Sequence, residues 1–130
     1  MNETQAKLDK KVGTKERQIL KPAKVKVVGV RLDPKTTKKN KETEIAVLIC
    51  KHPEREEPIE IGKVKLVKGN TVKVSGLWYD EDDDGFIQKG SAIAELLSFY
   101  SVENLKALEG KEIDTAKESD SSNYLVIKCY

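Results

Sequence analysis

The run Ala23-Lys24-Val25-Lys26-Val27-Val28-Gly29-Val30-Arg31-Leu32 decides how the chain is read. Apolar side chains hold the odd positions through Val27 and the even positions from Val28 onward. A strand sends alternate residues to opposite faces, so its phase cannot change without an extra residue. The spacing predicts a bulge or sharp bend near Val27-Val28-Gly29. The slip recurs downstream, where Ile59-Glu60-Ile61 and Val64-Lys65-Leu66 alternate out of phase across Gly62-Lys63.

Outward from these runs the elements follow in order. Asp33 to Lys41 reads as a polar loop, and Glu44 to Cys50, apolar on both faces, as the most buried strand. His52 to Pro58 is a turn. Gly69-Asn70 joins the Val64 run to Thr71-Val72-Lys73-Val74 as a two-residue hairpin, and that strand is expected to continue through Trp78-Tyr79. The period then changes: Ile93, Leu96, Leu97 and Tyr100 fall at i, i+3, i+4, i+7, which predicts a helix from Ser91, its N-cap, to Tyr100. Ser101 is expected to cap a second short helix, Val102 to Glu109, with Leu105 and Leu108 inward and Gly110 as its stop. Glu112 to Ala116 and Tyr124 to Cys129 close the chain as a hairpin.

Bent strands with a helix before a final hairpin suit a closed sheet, because closure needs bulges and glycines at the bends. The expected fold is mainly β with one or two short helices, a small antiparallel OB-like barrel over residues 23–130. Six strands are one more than such a barrel has, so an extra strand or a split third strand is implied. An open α+β sheet with helices on one face is the alternative.

The tract Gly90-Ser91-Ala92-Ile93-Ala94-Glu95-Leu96-Leu97, then Leu105 to Ile113 with its Leu108-Glu109-Gly110-Lys111 turn, then Tyr124-Leu125-Val126-Ile127, resembles the closing half of OB-fold single-stranded-DNA-binding proteins of phages and mobile elements. The resemblance is confined to residues 90–130. It implies a barrel that holds single strands and a virus or mobile-element origin.

Charge is divided unevenly. The chain has 130 residues with 24 Lys+Arg and 22 Asp+Glu, a net of +2. Residues 1–41 carry 13 basic against 4 acidic side chains, and residues 42–130 carry 11 against 18. A flexible basic arm over residues 1–22 on a mildly acidic body is the expectation, and such arms meet nucleic acid, meet an acidic surface, or simply stay solvated. Abundant Lys and Glu also fit a thermophile protein.

Two cysteines, Cys50 and Cys129, are too few for a disulfide scaffold and lack CxxC spacing. They read as buried thiols. No apolar run approaches membrane-spanning length and the start does not read as a signal peptide, so a cytoplasmic protein without a membrane partner is expected. The single His52 reads as a surface residue, with no flanking pattern for nucleophilic catalysis. There is no Gly-rich phosphate loop. A non-enzyme without cofactors is the expectation.

Two constellations remain. Lys24, Lys26, Lys63, Lys65 and Lys73 lie on polar strand phases, and with Trp78 and Tyr79 they would make a basic face with a stacking ring, the means by which OB barrels hold single strands. The bland reading is a solvated sheet face with Trp78 in the core. Asp80, Asp82 and Asp84 before Gly85 have the spacing of half a calcium loop, but Ser91 stands where the closing Glu belongs, so a solvated acidic turn or a patch docking a basic partner is preferred to a metal site. The functional expectation is a non-catalytic nucleic-acid-binding protein that prefers single strands. The alternative is a protein-interaction or structural module whose acidic loop and charged arm pair with protein partners or with sister copies in a homo-oligomer.

Overall fold

The expected slip at Val27 is present in the pairing of β1 (Val25–Thr36) with β2 (Glu42–Lys51). Val27 faces Cys50, the next pair is Gly29 with Ile49, and Val28 is left over as the bulge. A computed structural model of the chain describes residues 7–13 and 20–130. The remaining strands are β3 (Ile59–Ile61), β4 (Lys63–Lys68), β5 (Thr71–Gly76), β6 (Trp78–Tyr79), β7 (Glu112–Ile113), β8 (Thr115–Lys117) and β9 (Leu125–Cys129).

These nine strands are six continuous runs, three of which change sheets midway. One sheet has the order β3-β2-β1-β7 with β6 also pairing on β2, and the other has the order β5-β4-β9-β8. The run Ile59–Lys68 crosses at Gly62, the run Thr71–Tyr79 at Leu77, and the run Glu112–Lys117 at Asp114. Backbone bonds hold all three crossings: Leu77 N–H donates to the Gly62 carbonyl at 3.0 Å, tying two of them together, and Lys128 N–H to the Asp114 carbonyl at 2.9 Å. Followed around, β1, β2, β3/β4, β9 and β8/β7 return to β1 as a closed five-strand ring, with β5 and β6 as the extra strand. The fold is the expected mainly β, OB-like barrel. One pair departs from the antiparallel expectation, since β4 and β9 run parallel.

The helix α1 (Ala92–Phe99) begins where Ser91 accepts from Ala94 N–H and buries Ile93, Leu96 and Leu97. They join Val25, Val27, Leu48, Val64, Leu77 and Ile127 in the barrel core. The second helix shrinks to a single 3-10 turn, Lys106–Leu108. Ser101 sits at φ 57°, in the left-handed region, so it cannot take the extended N-cap conformation, and Asn104 caps the turn instead through Ala107 N–H at 2.8 Å. Leu108 is buried and Gly110, at φ 84°, ends the turn as expected.

Two further expectations change. The polar loop is shorter than expected, because β1 extends to Thr36 and β2 starts at Glu42, leaving only residues 37–41 between them. Solvated polar residues pair their backbones as readily as apolar ones, and Pro34 is tolerated where β1 has a neighbour on one side only. The strand expected to run unbroken from Thr71 to Tyr79 is interrupted at the buried Leu77.

His52 is a correction. It is fully buried, not at the surface. Its Nε2–H donates to the Lys21 carbonyl at 2.8 Å, and its Nδ1 accepts from Glu54 N–H at 3.0 Å. Ala23 is held similarly, donating to Thr115 Oγ1 and accepting from it. The body thus reaches back to Lys21. Of the expected arm, residues 1–6 and 14–19 lie outside the described residues, while residues 7–13 are exposed throughout.

Candidate functional site

The register of the second sheet decides which lysines share a face. Val64 and Leu66 point into the core, so Lys63, Lys65 and Val67 point outward. Across β5, Gly76 faces Lys63, Val74 faces Lys65 and Val72 faces Val67. Across β9, Lys128 faces Lys65. Lys73 faces Leu66 and so belongs to the opposite side of its strand. Lys24 and Lys26 lie near β7, where Lys24 pairs with Asp114 at 3.6 Å and Lys26 stands between Lys51 and Glu112. Along β1 that is roughly 20 Å from the strand pair nearest Trp78. The five lysines therefore do not form one face; Lys63 and Lys65 do, with Lys128 added.

Those two are partly committed to the fold. Lys63 Nζ bonds Glu118 Oε1 at 2.8 Å and Lys65 Nζ bonds the Lys117 carbonyl at 3.1 Å. Both side chains cross β9 on the face that carries the buried Val126, and their stems shield it while the ammonium groups stay near water.

Trp78 is outside the core, at 39% exposure. Its ring lies over Gly76 on the same outward face: a Cβ on Gly76 would stand 3.0 Å from Trp78 Nε1 and 3.4 Å from Ile45 Cδ1. Glycine thus makes a seat that any side chain would disturb. Trp78 pairs with Ile45 and Tyr79 with Glu44, so alternation turns Tyr79 to the other face. There Tyr79 packs at the fringe of the core and donates its hydroxyl to Glu81 Oε1 at 2.7 Å, and that bond raises its pKa. Only Trp78 offers a free ring at this strand.

At the far end of the same face stands Tyr130, 46% exposed, with the Lys128 ammonium 5.0 Å from its ring centroid. Val67 and Val72, paired at the same end of β4 and β5, are half exposed. Nothing local in the sequence marks Tyr130 as a surface ring of this face; the β4–β9 register places it there.

Beyond the barrel, β1 and β2 continue as a two-stranded ribbon whose tip is basic. Lys35, Lys38, Lys39 and Lys41 are exposed, and no acidic residue interrupts residues 35–41. The tip is fixed by Thr37 N–H to the Lys41 carbonyl and Asn40 N–H to the Thr37 carbonyl, both at 2.9 Å. Lys35 faces Thr43 and Asp33 faces Ile45, so Lys35 lies on the face that Trp78 shares.

The acidic loop is a tight turn. Asp82 Oδ1 accepts from the backbone N–H groups of Asp84 and Phe86, and Gly85 takes φ 83°. Asp80 and Asp84 are exposed, and among the described residues no three His, Cys, Asp or Glu side chains come together as metal ligands.

Both ring nitrogens of His52 are bound to backbone groups, so this imidazole is held as a structural element. Burial pushes the Cys50 and Cys129 thiols up to about 12 and keeps them protonated. A wide cleft of 1010 Å³ opens between Leu20, Glu56, Ile59 and Tyr124, and a smaller one of 490 Å³ lies beside Lys26, Lys51 and Glu112. Comparison with protein-family models, with curated proteins and with solved structures finds no match for this chain.

Proposed function

We propose that this chain is a non-catalytic nucleic-acid-binding protein that prefers single strands. The observation that carries the reading is the Trp78 ring, exposed and seated on Gly76, on the one outward face that also bears Lys63, Lys65 and Lys128. A ring beside a row of ammonium groups takes a base on its face and phosphates on its flank without reading sequence. Lys35 and the ribbon tip extend the positive surface along the same side. Lys7, Lys10 and Lys11 in the exposed segment 7–13 add charge that can follow the strand.

The test is a titration of labelled single-stranded and duplex oligonucleotides at two salt concentrations, followed by the fluorescence of Trp78, the single tryptophan. Stacking should quench Trp78, single strands should bind more tightly, and affinity should fall steeply as salt rises because counterions are released. Absence of binding at low salt discards the reading. A protein-interaction module would then stand, for which the open outer edge of β5, with Val72 half exposed, is the supporting observation.

A further inference from the structure

Resting on that reading, the geometry points to a second stacking platform, Tyr130, so that the site takes a single strand of about five nucleotides held between two rings. Trp78 sits at the level of the Gly76–Lys63 pair. The parallel register of β4 with β9 sets Lys65 beside Lys128 and Leu66 beside Cys129, which brings Tyr130 to the level of Val67. From Lys63 to Val67 is four residues of strand, and from β5 to β9 is two strand spacings. At ~3.3 Å per residue and ~4.8 Å per strand, the two rings are roughly 16 Å apart across the face. Stacked bases rise ~3.4 Å each, so that distance is between about four and five base steps.

The surface between the rings suits the chemistry. Lys65 and Lys128 lie side by side at its centre, with Val74 facing Lys65. The Lys128 ammonium already stands over one face of the Tyr130 ring, 5.0 Å from its centroid. A base therefore takes the opposite face of the ring, and the cation–π contact behind it leaves a positive charge close to the adjoining phosphate. The Lys65 ammonium, bonded to the Lys117 carbonyl beyond β9, adds positive charge on the flank of this face. No covalent step is involved.

The experiment uses the full chain and oligothymidylates of increasing length, with Trp78 quenching and fluorescence anisotropy as separate readouts. Affinity should climb with length until about five nucleotides and then rise only weakly. Tyr130→Leu should weaken binding of an oligomer of about ten nucleotides at least 5-fold, the lower range for loss of one stacking ring, yet leave a dinucleotide unaffected. Tyr130→Phe keeps the ring and should bind as the unchanged protein does. Unaltered melting temperatures show that both variants fold. The proposal is overturned if Tyr130→Leu binds the long oligomer normally, or if it loses as much affinity for the dinucleotide as for the longer strand. Failure of the unchanged protein to bind or quench with any single strand instead removes the underlying reading.

Discussion

Tyr100 donates its hydroxyl to the backbone carbonyl of Lys128 at 2.6 Å. The same oxygen accepts from Asp114 N–H at 3.0 Å. One side chain at the end of α1 thus ties the helix to β9 and to the point where β7 turns into β8. Tyr100→Phe removes both bonds and strands two backbone groups in a half-buried place. The expected loss is about 1–3 kcal/mol of unfolding free energy by urea denaturation, with the fold retained. An unchanged midpoint would show that water replaces the hydroxyl at no cost.

His52→Ala should be more damaging. It leaves the Lys21 carbonyl and Glu54 N–H without the imidazole and opens a void at a fully buried position. We expect a loss of ~2–4 kcal/mol, together with faster amide exchange at Ala23 and its neighbours. Equal exchange in the two proteins would mean that Thr115 alone holds this segment.

Gly76→Ala tests the seat of the ring. The new methyl group would stand 3.0 Å from Trp78 Nε1, tighter than ordinary contact, so the indole must give by a few tenths of an ångström. Trp78 emission should shift to longer wavelength and oligonucleotide quenching should change, while stability falls by no more than about 1 kcal/mol. Identical spectra would remove Gly76 from the site.

Arg31 predicts an acid-sensitive contribution. Its guanidinium bonds Asp33 at 2.6 Å and Glu60 at 2.8 Å, bridging β1 to β3 across β2. These bonds hold both carboxyl groups below their ordinary range. A depressed carboxylate pKa contributes stability above the unfolded value, and that contribution is lost as pH falls through the folded value. Arg31→Gln should therefore lower the melting temperature slightly at neutral pH, less at high salt, and not at all once both carboxyl groups are protonated. A difference that persists in strong acid would assign the effect to packing of the arginine stem.

The alkaline side is governed by buried acids. Cys50 and Cys129 are pushed up from 9.0 to about 12, and Tyr100 from 10.0 to about 12, chiefly by burial. The unfolded chain ionises first, so the stability from keeping these groups neutral is full below their unfolded values and is lost as pH rises towards 12. Melting temperature should fall from about pH 9 upward, less steeply in Cys50→Ala/Cys129→Ala. A thiol reagent should label neither cysteine at neutral pH until the protein unfolds. Rapid labelling of the native protein would contradict their burial.

The sequence by itself determined the local devices of this fold. The apolar phase change at Val27-Val28-Gly29 encodes the bulge, because side-chain alternation is a property of the strand alone. Gly69-Asn70 encodes its hairpin, with Gly69 at φ 62°, and Ser91 encodes the start of α1. The second slip, at Gly62, was legible as a bend but not as a change of sheet. Nothing local distinguishes a strand that continues with one partner from one that hands over to another. For the same reason Leu77 reads as one more strand residue, although it interrupts the run from Thr71 to Tyr79. Tertiary structure alone decided the faces. Whether Lys63, Lys65 and Lys73 point together depends on their phases within β4 and β5 and on the cross-strand register, which sets Lys73 against Leu66 and so on the other side. His52 misled for a related reason. Its burial is made acceptable by the Lys21 carbonyl, 31 residues away, a partner that only the folded chain supplies. Tyr130 joins the surface of Trp78 because β9 runs parallel to β4, a long-range pairing between distant parts of the chain.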